Sequence, residues 1–197
     1  MTPTLPLASL SDFSASARTA IASPRSAAQG FADHLNSVLN RTISDARLSL
    51  IQRPEDPNAF ELTRLVEGSS ASLELHGTSN RLFVRQLFEV VQGHCQIESY
   101  SYRLQLTGAR ESWLIRWEYY REPPRADYPY ALAHVHFNGA LADGRPAGRL
   151  HVPTRRVPLE LVIWHLVAEW DVETKDSDWR SVLQDSIAGF DERRRAP

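Results

Sequence analysis

The sequence predicts an α+β fold: a twisted antiparallel β-sheet, laid out as a meander, with one N-terminal and two C-terminal helices packed on one face. Two observations carry this expectation. Four strand-like runs, at 81–91, 96–106, 112–120 and 130–137, follow one another across short connectors. Sequential strands so joined pair antiparallel. Apolar residues at helical spacing lie on either side of that strand region: Phe31, Leu35, Val38, Leu39 and Thr42 before it, and Leu159, Val162, Ile163, Leu166, Val167 and Trp170 after it. Each set makes one stripe, and a stripe needs a sheet to cover.

Residues 1–22 are rich in Ser, Thr, Ala and Pro and read as a flexible N-terminal arm; 23–197 read as a single α+β domain. Ser23-Pro24 is a helix start, with Ser as cap and Pro at the first helical position. It opens a helix over 24–41. Weaker strands are expected at 46–52, 60–67 and 70–76. The two prolines of Arg53-Pro54-Glu55-Asp56-Pro57-Asn58 break any ladder, and Gly77-Thr78-Ser79-Asn80 has the chemistry of a turn. Within 112–120 the period of two places Trp113, Ile115, Trp117 and Tyr119 on one face. Leu114, Arg116, Glu118 and Tyr120 take the other. A Gly/Ala-rich loop spans 138–149, and 150–152 is a last short strand. Pro158 opens a helix over 158–170. A final helix, 177–193, ends in Arg193-Arg194-Arg195, cations that complement the helix dipole.

The 197 residues carry a net charge of -2, so no global basic field announces a nucleic-acid binder. Of the 22 basic residues only Lys175 is a lysine. Arginine offers planar, bidentate recognition of phosphate or carboxylate, although genome composition produces the same bias. Cys95 is alone, which excludes an internal disulfide and a Cys-based zinc site and fits a cytoplasmic setting. No apolar run is long enough to span a membrane. Serine-hydrolase elbows, P-loops and dinucleotide fingerprints are absent.

The sharpest local signal is His134-Val135-His136. Residues two apart on a strand point the same way, so both imidazoles leave one face. Such a pair supplies an acid and a base, or simply hydrogen-bonds its neighbours on a half-exposed sheet. A metal would need a third ligand, for which His151 and Glu160 are nearest in sequence. The glutamate of a cupin-type site is missing, since Asn138, Gly139, Ala140 and Leu141 follow. The sequence reading therefore assigns no metal and no cofactor. Arg155-Arg156 before Pro158 is a second signal: two guanidiniums beside free helix N–H groups make an anion site, or else two solvated side chains. Third, Tyr100, Tyr102, Trp113, Trp117, Tyr119, Tyr120, Tyr128 and Tyr130 lie among Arg103, Arg116 and Arg121. Such a set can stack bases and hold phosphates, or can pack as ordinary strand residues.

The Tyr-Ser-Tyr-Arg-Leu-Gln strand at 100–105, Ile115-Arg116-Trp117-Glu118, the proline-bearing loop and His134-Val135-His136 resemble the TumE-type family of small bacterial proteins, toxin components of toxin–antitoxin pairs. The resemblance covers roughly 82–170. Trp117-Glu118 stand where that family tends to have Tyr-Asp, and its Pro-His-His run is absent. The resemblance implies a toxin–antitoxin or defence-like protein with an antitoxin as partner.

Two readings of function follow. In the first, the chain binds or cleaves RNA: Arg103, Arg116, Arg155 and Arg156 hold phosphate. His134 and His136 form the catalytic acid/base pair of a metal-independent ribonuclease, one activating the 2′-OH and the other protonating the leaving oxygen. In the second, the chain is a non-catalytic module whose exposed sheet face binds a protein partner or a second copy as a homodimer.

Overall fold

In the computed structural model, residues 23–106, 112–140, 142, 144 and 146–195 are described. The arm expected over 1–22 lies outside them.

The architecture is α+β, as the alternation predicts. Among the described residues nine strands form one antiparallel sheet: β1 (Ser49–Gln52), β2 (Ala59–Val66), β3 (Ser69–Ala71), β4 (Leu73–Glu74), β5 (Arg81–Val91), β6 (His94–Gln105), β7 (Trp113–Tyr120), β8 (Ala133–Phe137) and β9 (Val152–Pro153). The order across the sheet is β1-β2-β5-β6-β7-β8-β9. The first half of β2 pairs with β5, while its last three residues pair with β3 and β4 takes the place beside β5. Two hairpins turn on a left-handed residue followed by glycine: Glu67-Gly68 (φ 50 and 78) and Gln92-Gly93 (φ 52 and 81). Positive φ at both central positions matches the right-handed strand twist.

Three helices cover one face: α1 (Pro24–Thr42), α2 (Leu159–Glu169) and α3 (Trp179–Arg195). The Ser23 hydroxyl accepts from the Ser26 N–H at 3.2 Å, with Pro24 in the first turn. That is the cap the sequence encodes. The buried stripe of α1 is Ala28, Ala32, Leu35, Val38 and Leu39, set against Phe60, Leu62, Leu82, Val84 and Phe88 of the sheet. Asn36 is buried on the same helix. Its amide donates to the Leu48 carbonyl at 3.0 Å and accepts from the Leu48 N–H at 2.7 Å, so one side chain satisfies both polar groups of the residue leading into β1. The core continues through Tyr102, Leu104, Ile115, Trp117 and Val135 to Leu159, Ile163, Leu166 and Leu183.

Four local expectations need correction. The strand expected at 46–52 begins at Ser49, because residues 44–48 serve α1: Leu48 is held by Asn36 and the Ser44 hydroxyl accepts from the Ala46 N–H. The strand expected at 70–76 is split in two, because its halves pair with different neighbours. The strand expected at 130–137 starts at Ala133, since the Ala131 carbonyl is occupied by the His134 ring. Trp113 does not share a face with Ile115. The β6–β7 register slips between Leu104 and Gln105, so Gln105 pairs with Trp113 and Leu114 bulges. A one-residue bulge reverses the faces beyond it. The Trp113 ring lies instead under the Arg116 guanidinium, 5.1 Å from ring centroid to Cζ.

Candidate functional site

Alternation along β5 to β8 sends every second side chain away from the helices. On β6 the inward set is Tyr100, Tyr102 and Leu104, and on β7 it is Ile115, Trp117 and Tyr119. Their neighbours in sequence, Ser101, Arg103, Arg116, Glu118 and Tyr120, line a hollow of about 790 Å³ on the open face. Register brings them together: Arg103 lies opposite Arg116, Arg116 opposite His136, and Glu118 opposite His134.

The hollow is cationic. Arg64, Arg81, Arg85, Arg103 and Arg116 face Glu61, Glu74 and Glu118. Arg85 grips Glu61 with two bonds of 2.9 and 3.0 Å, and both Arg64 and Arg81 engage Glu74. The Arg103 guanidinium covers the Phe83 ring at 4.0 Å. Arg116 reaches Glu118 at 3.4 Å. Among the described lining residues five guanidiniums stand beside three carboxylates.

At the β8 edge the hollow gives way to a cluster of imidazoles. His134 and His136 leave the same face of β8, with rings 4.8 Å apart. Both are buried, with 1% and 3% of their surface exposed. They are not beneath the helices; Val135, between them, faces that side. What covers them is polar and aromatic. Tyr128 and Tyr130 approach His134, and His151, from the segment after the Ala147–Arg149 turn, stands 5.0 Å from the His134 ring and 4.2 Å from the His136 ring. Tyr130 stacks on His151, ring to ring at 3.4 Å.

Glu118 joins the hollow to this cluster. One of its oxygens is 3.0 Å from His136 Nε2, 3.5 Å from His134 Nε2 and 3.4 Å from Arg116. Burial pushes the Glu118 carboxyl up. The hydrogen bond from His136 and the nearby charges of Arg116, His136 and His134 outweigh that and hold it below its ordinary value.

The four arginines expected to hold phosphate divide between the faces. Arg103 and Arg116 are on the open face. Arg156 is on the helix side, its guanidinium over Tyr119 at 5.1 Å, where burial pulls it below its ordinary value. Arg155 is exposed in the same segment. That chain cannot cross back, because the Val157 N–H is tied to the Tyr100 hydroxyl at 2.7 Å and Pro158 starts α2. The field at the start of α2 is met by Glu160 in the first turn.

Of the two third-ligand candidates nearest in sequence, His151 joins the pair and Glu160 does not. Glu160 is buried among the helices, accepting from the Ser186 hydroxyl at 2.6 Å, and Ser186 meets His34 Nε2 at 2.7 Å. Burial pushes Glu160 up, but the His34 ring 3.8 Å away and the hydrogen bond from Ser186 hold it below its ordinary value. This Ser–His–Glu set is not a nucleophile triad. The carboxylate binds the serine, whereas a triad needs it to orient the imidazole. Sequence reasoning missed Glu118. Its signal was present, a charge in phase with Arg116 and out of phase with Ile115 and Trp117, but the long β7–β8 connection hides which residue of β8 it meets.

Comparison with family models, with curated proteins and with solved structures finds no match for this chain.

Proposed function

We propose that this chain binds a phosphate-bearing ligand, RNA in our reading, in the open-face hollow, and that Glu118, His134 and His136 form the reactive end of that site. The observation that carries the reading is the continuity of the two regions. Five arginines line the hollow, and its wall at Arg116 and Glu118 is also the wall of the imidazole cluster. Arginine forks match phosphate oxygens, and Tyr120 lines the same hollow as an aromatic neighbour. Glu118 is the group a ligand in the hollow meets first. His136 stands behind it at hydrogen-bond distance, and its ring N–H holds the carboxylate in place toward the hollow. A toxin-like role with an antitoxin partner, as the TumE-type resemblance implies, is compatible with this chemistry.

The test is cleavage of RNA by the purified full chain, followed by gel and by release of 2′,3′-cyclic ends. Wild type should cut, and His136→Ala and Glu118→Gln should lose about 100-fold or more, the size of a general acid–base contribution. Equal rates in all three, or none in any, reject the catalytic half.

One observation favours a second reading, self-association. Phe137, Leu150 and Val152 are each more than 40% exposed on or beside the β8–β9 edge. Light scattering across a concentration series decides it: a strict monomer removes this reading.

A further inference from the structure

We infer that His134, His136 and His151 form a binding site for a divalent transition-metal ion, zinc by ligand type. The inference goes beyond the RNA reading and rests on the imidazole cluster alone. One ring nitrogen from each histidine lies within 4.8 Å of the others. Around a tetrahedral ion with metal–nitrogen bonds of about 2.0–2.1 Å, ligand nitrogens stand about 3.4 Å apart. A shift of about an ångström or two closes the difference, and His151, half-buried on an irregular segment, is the ligand placed to make it.

The hydrogen bonds set the tautomers that a metal requires. His134 Nδ1 is 2.7 Å from the Ala131 carbonyl. A carbonyl only accepts, so Nδ1 carries the proton and Nε2 carries the lone pair. His136 Nε2 is 3.0 Å from a Glu118 carboxylate oxygen, which accepts, so there Nε2 carries the proton. The lone pair of His136 is then on Nδ1, which is buried and has no hydrogen-bond partner among the described residues. A buried acceptor left unmatched is destabilising. Coordination gives it a partner. One imidazole pinned by a backbone carbonyl and one by a carboxylate are the outer supports that metal-binding histidines use.

Three neutral nitrogen ligands suit zinc and its neighbours rather than magnesium or calcium, which take oxygen. Three protein ligands leave a fourth position for water or a phosphate oxygen. Glu118 places one negative charge between such an ion and Arg116.

The experiment titrates metal-stripped full chain with Zn²⁺ against a chromophoric chelator, with no RNA present. Wild type should bind one equivalent. His151→Ala should lose affinity beyond the ~10–100-fold expected of an outer-shell change, and Glu118→Gln should fall within that range. His165→Ala, on the exposed side of α2, should match wild type. Zn²⁺ should raise the melting temperature of wild type and not of His151→Ala. Metal-free melts of the two should coincide; if the alanine variant melts lower, His151→Asn repeats the comparison. No saturable binding by wild type, or undiminished binding by the His151 variants, overturns the site. Because RNA is absent, this result and the cleavage result succeed or fail separately.

Discussion

The two faces of this sheet are built from the same strands by the same alternation, yet they do different work. On the helix face, β5 presents Leu82, Val84 and Phe88, and β6 presents Tyr102 and Leu104, all fully buried. One residue along, the open face carries Phe83, Arg85, Arg103 and Arg116 around a polar hollow. The helix face gains its free energy from apolar area removed from water. The open face carries five arginines and three glutamates around that hollow among its described residues. The apolar core and the charged hollow are thus separated by a single residue step, and substitutions on the two faces should behave as different classes.

The sharpest break in that comparison comes from the helix face. Phe88 is fully buried and meets Phe31 edge-on at 5.1 Å and Phe60 at 5.8 Å. Phe88→Ala should cost about 3–5 kcal/mol in denaturant unfolding. A loss under about 1 kcal/mol would mean that α1 does not pack as described. Next in size is the helix junction. Ser186→Ala removes the donor at 2.6 Å from the buried Glu160 carboxylate and should cost about 1–3 kcal/mol, with no effect on ligand binding.

Acid should reveal both faces together. Glu160 on the helix face and Glu118 on the open face are each held below the ordinary 4.5 in the folded chain. Below that pH the unfolded chain takes up protons that the folded chain refuses. The stability from each carboxylate is complete above about pH 4.5 and is lost as pH falls through its lowered folded value. Glu160→Gln and Glu118→Gln should each flatten the acid limb of a stability–pH profile. An unchanged limb in both variants would contradict the two hydrogen-bond networks.

The smallest effect on stability belongs to the hollow. Arg85 and Glu61 form a two-bond pair, but half of the arginine side chain is exposed, and such pairs contribute about 0–1 kcal/mol. Arg85→Ala should therefore leave the melting curve almost unmoved while weakening an anionic ligand. A large loss of stability would make the open face a structural surface rather than a binding one.

Much of the fold was legible because it is written in periods of two and of 3.6. The stripe of α1, its Ser23-Pro24 start, the Gln92-Gly93 hairpin and the faces of β6 follow from local chemistry. The bulge at Leu114 was not legible, since no Gly or Pro marks it, and it reversed the side of Trp113. The site was half legible. His134 and His136 share a face because they are two positions apart on a strand, with only Val135 between them. Their burial under Tyr128, Tyr130 and His151 depends on how residues 121–132 and 147–151 fold back, and short-range patterns do not encode that. Nothing in the local sequence marks Asn36 for burial. Only its two bonds to the Leu48 backbone explain why it is inside.

The central claim is that the arginine-lined open face is the ligand surface. Fluorescence anisotropy of a labelled oligoribonucleotide, titrated with wild type and with an Arg103→Gln/Arg116→Gln variant at several salt concentrations, tests it most directly. We expect saturable binding by wild type that weakens steeply with salt. The variant should bind more weakly and with a salt slope lower by about 1 to 2, one unit for each phosphate contact removed. Identical curves and slopes for the two proteins, or no binding by wild type at low salt, would contradict the account.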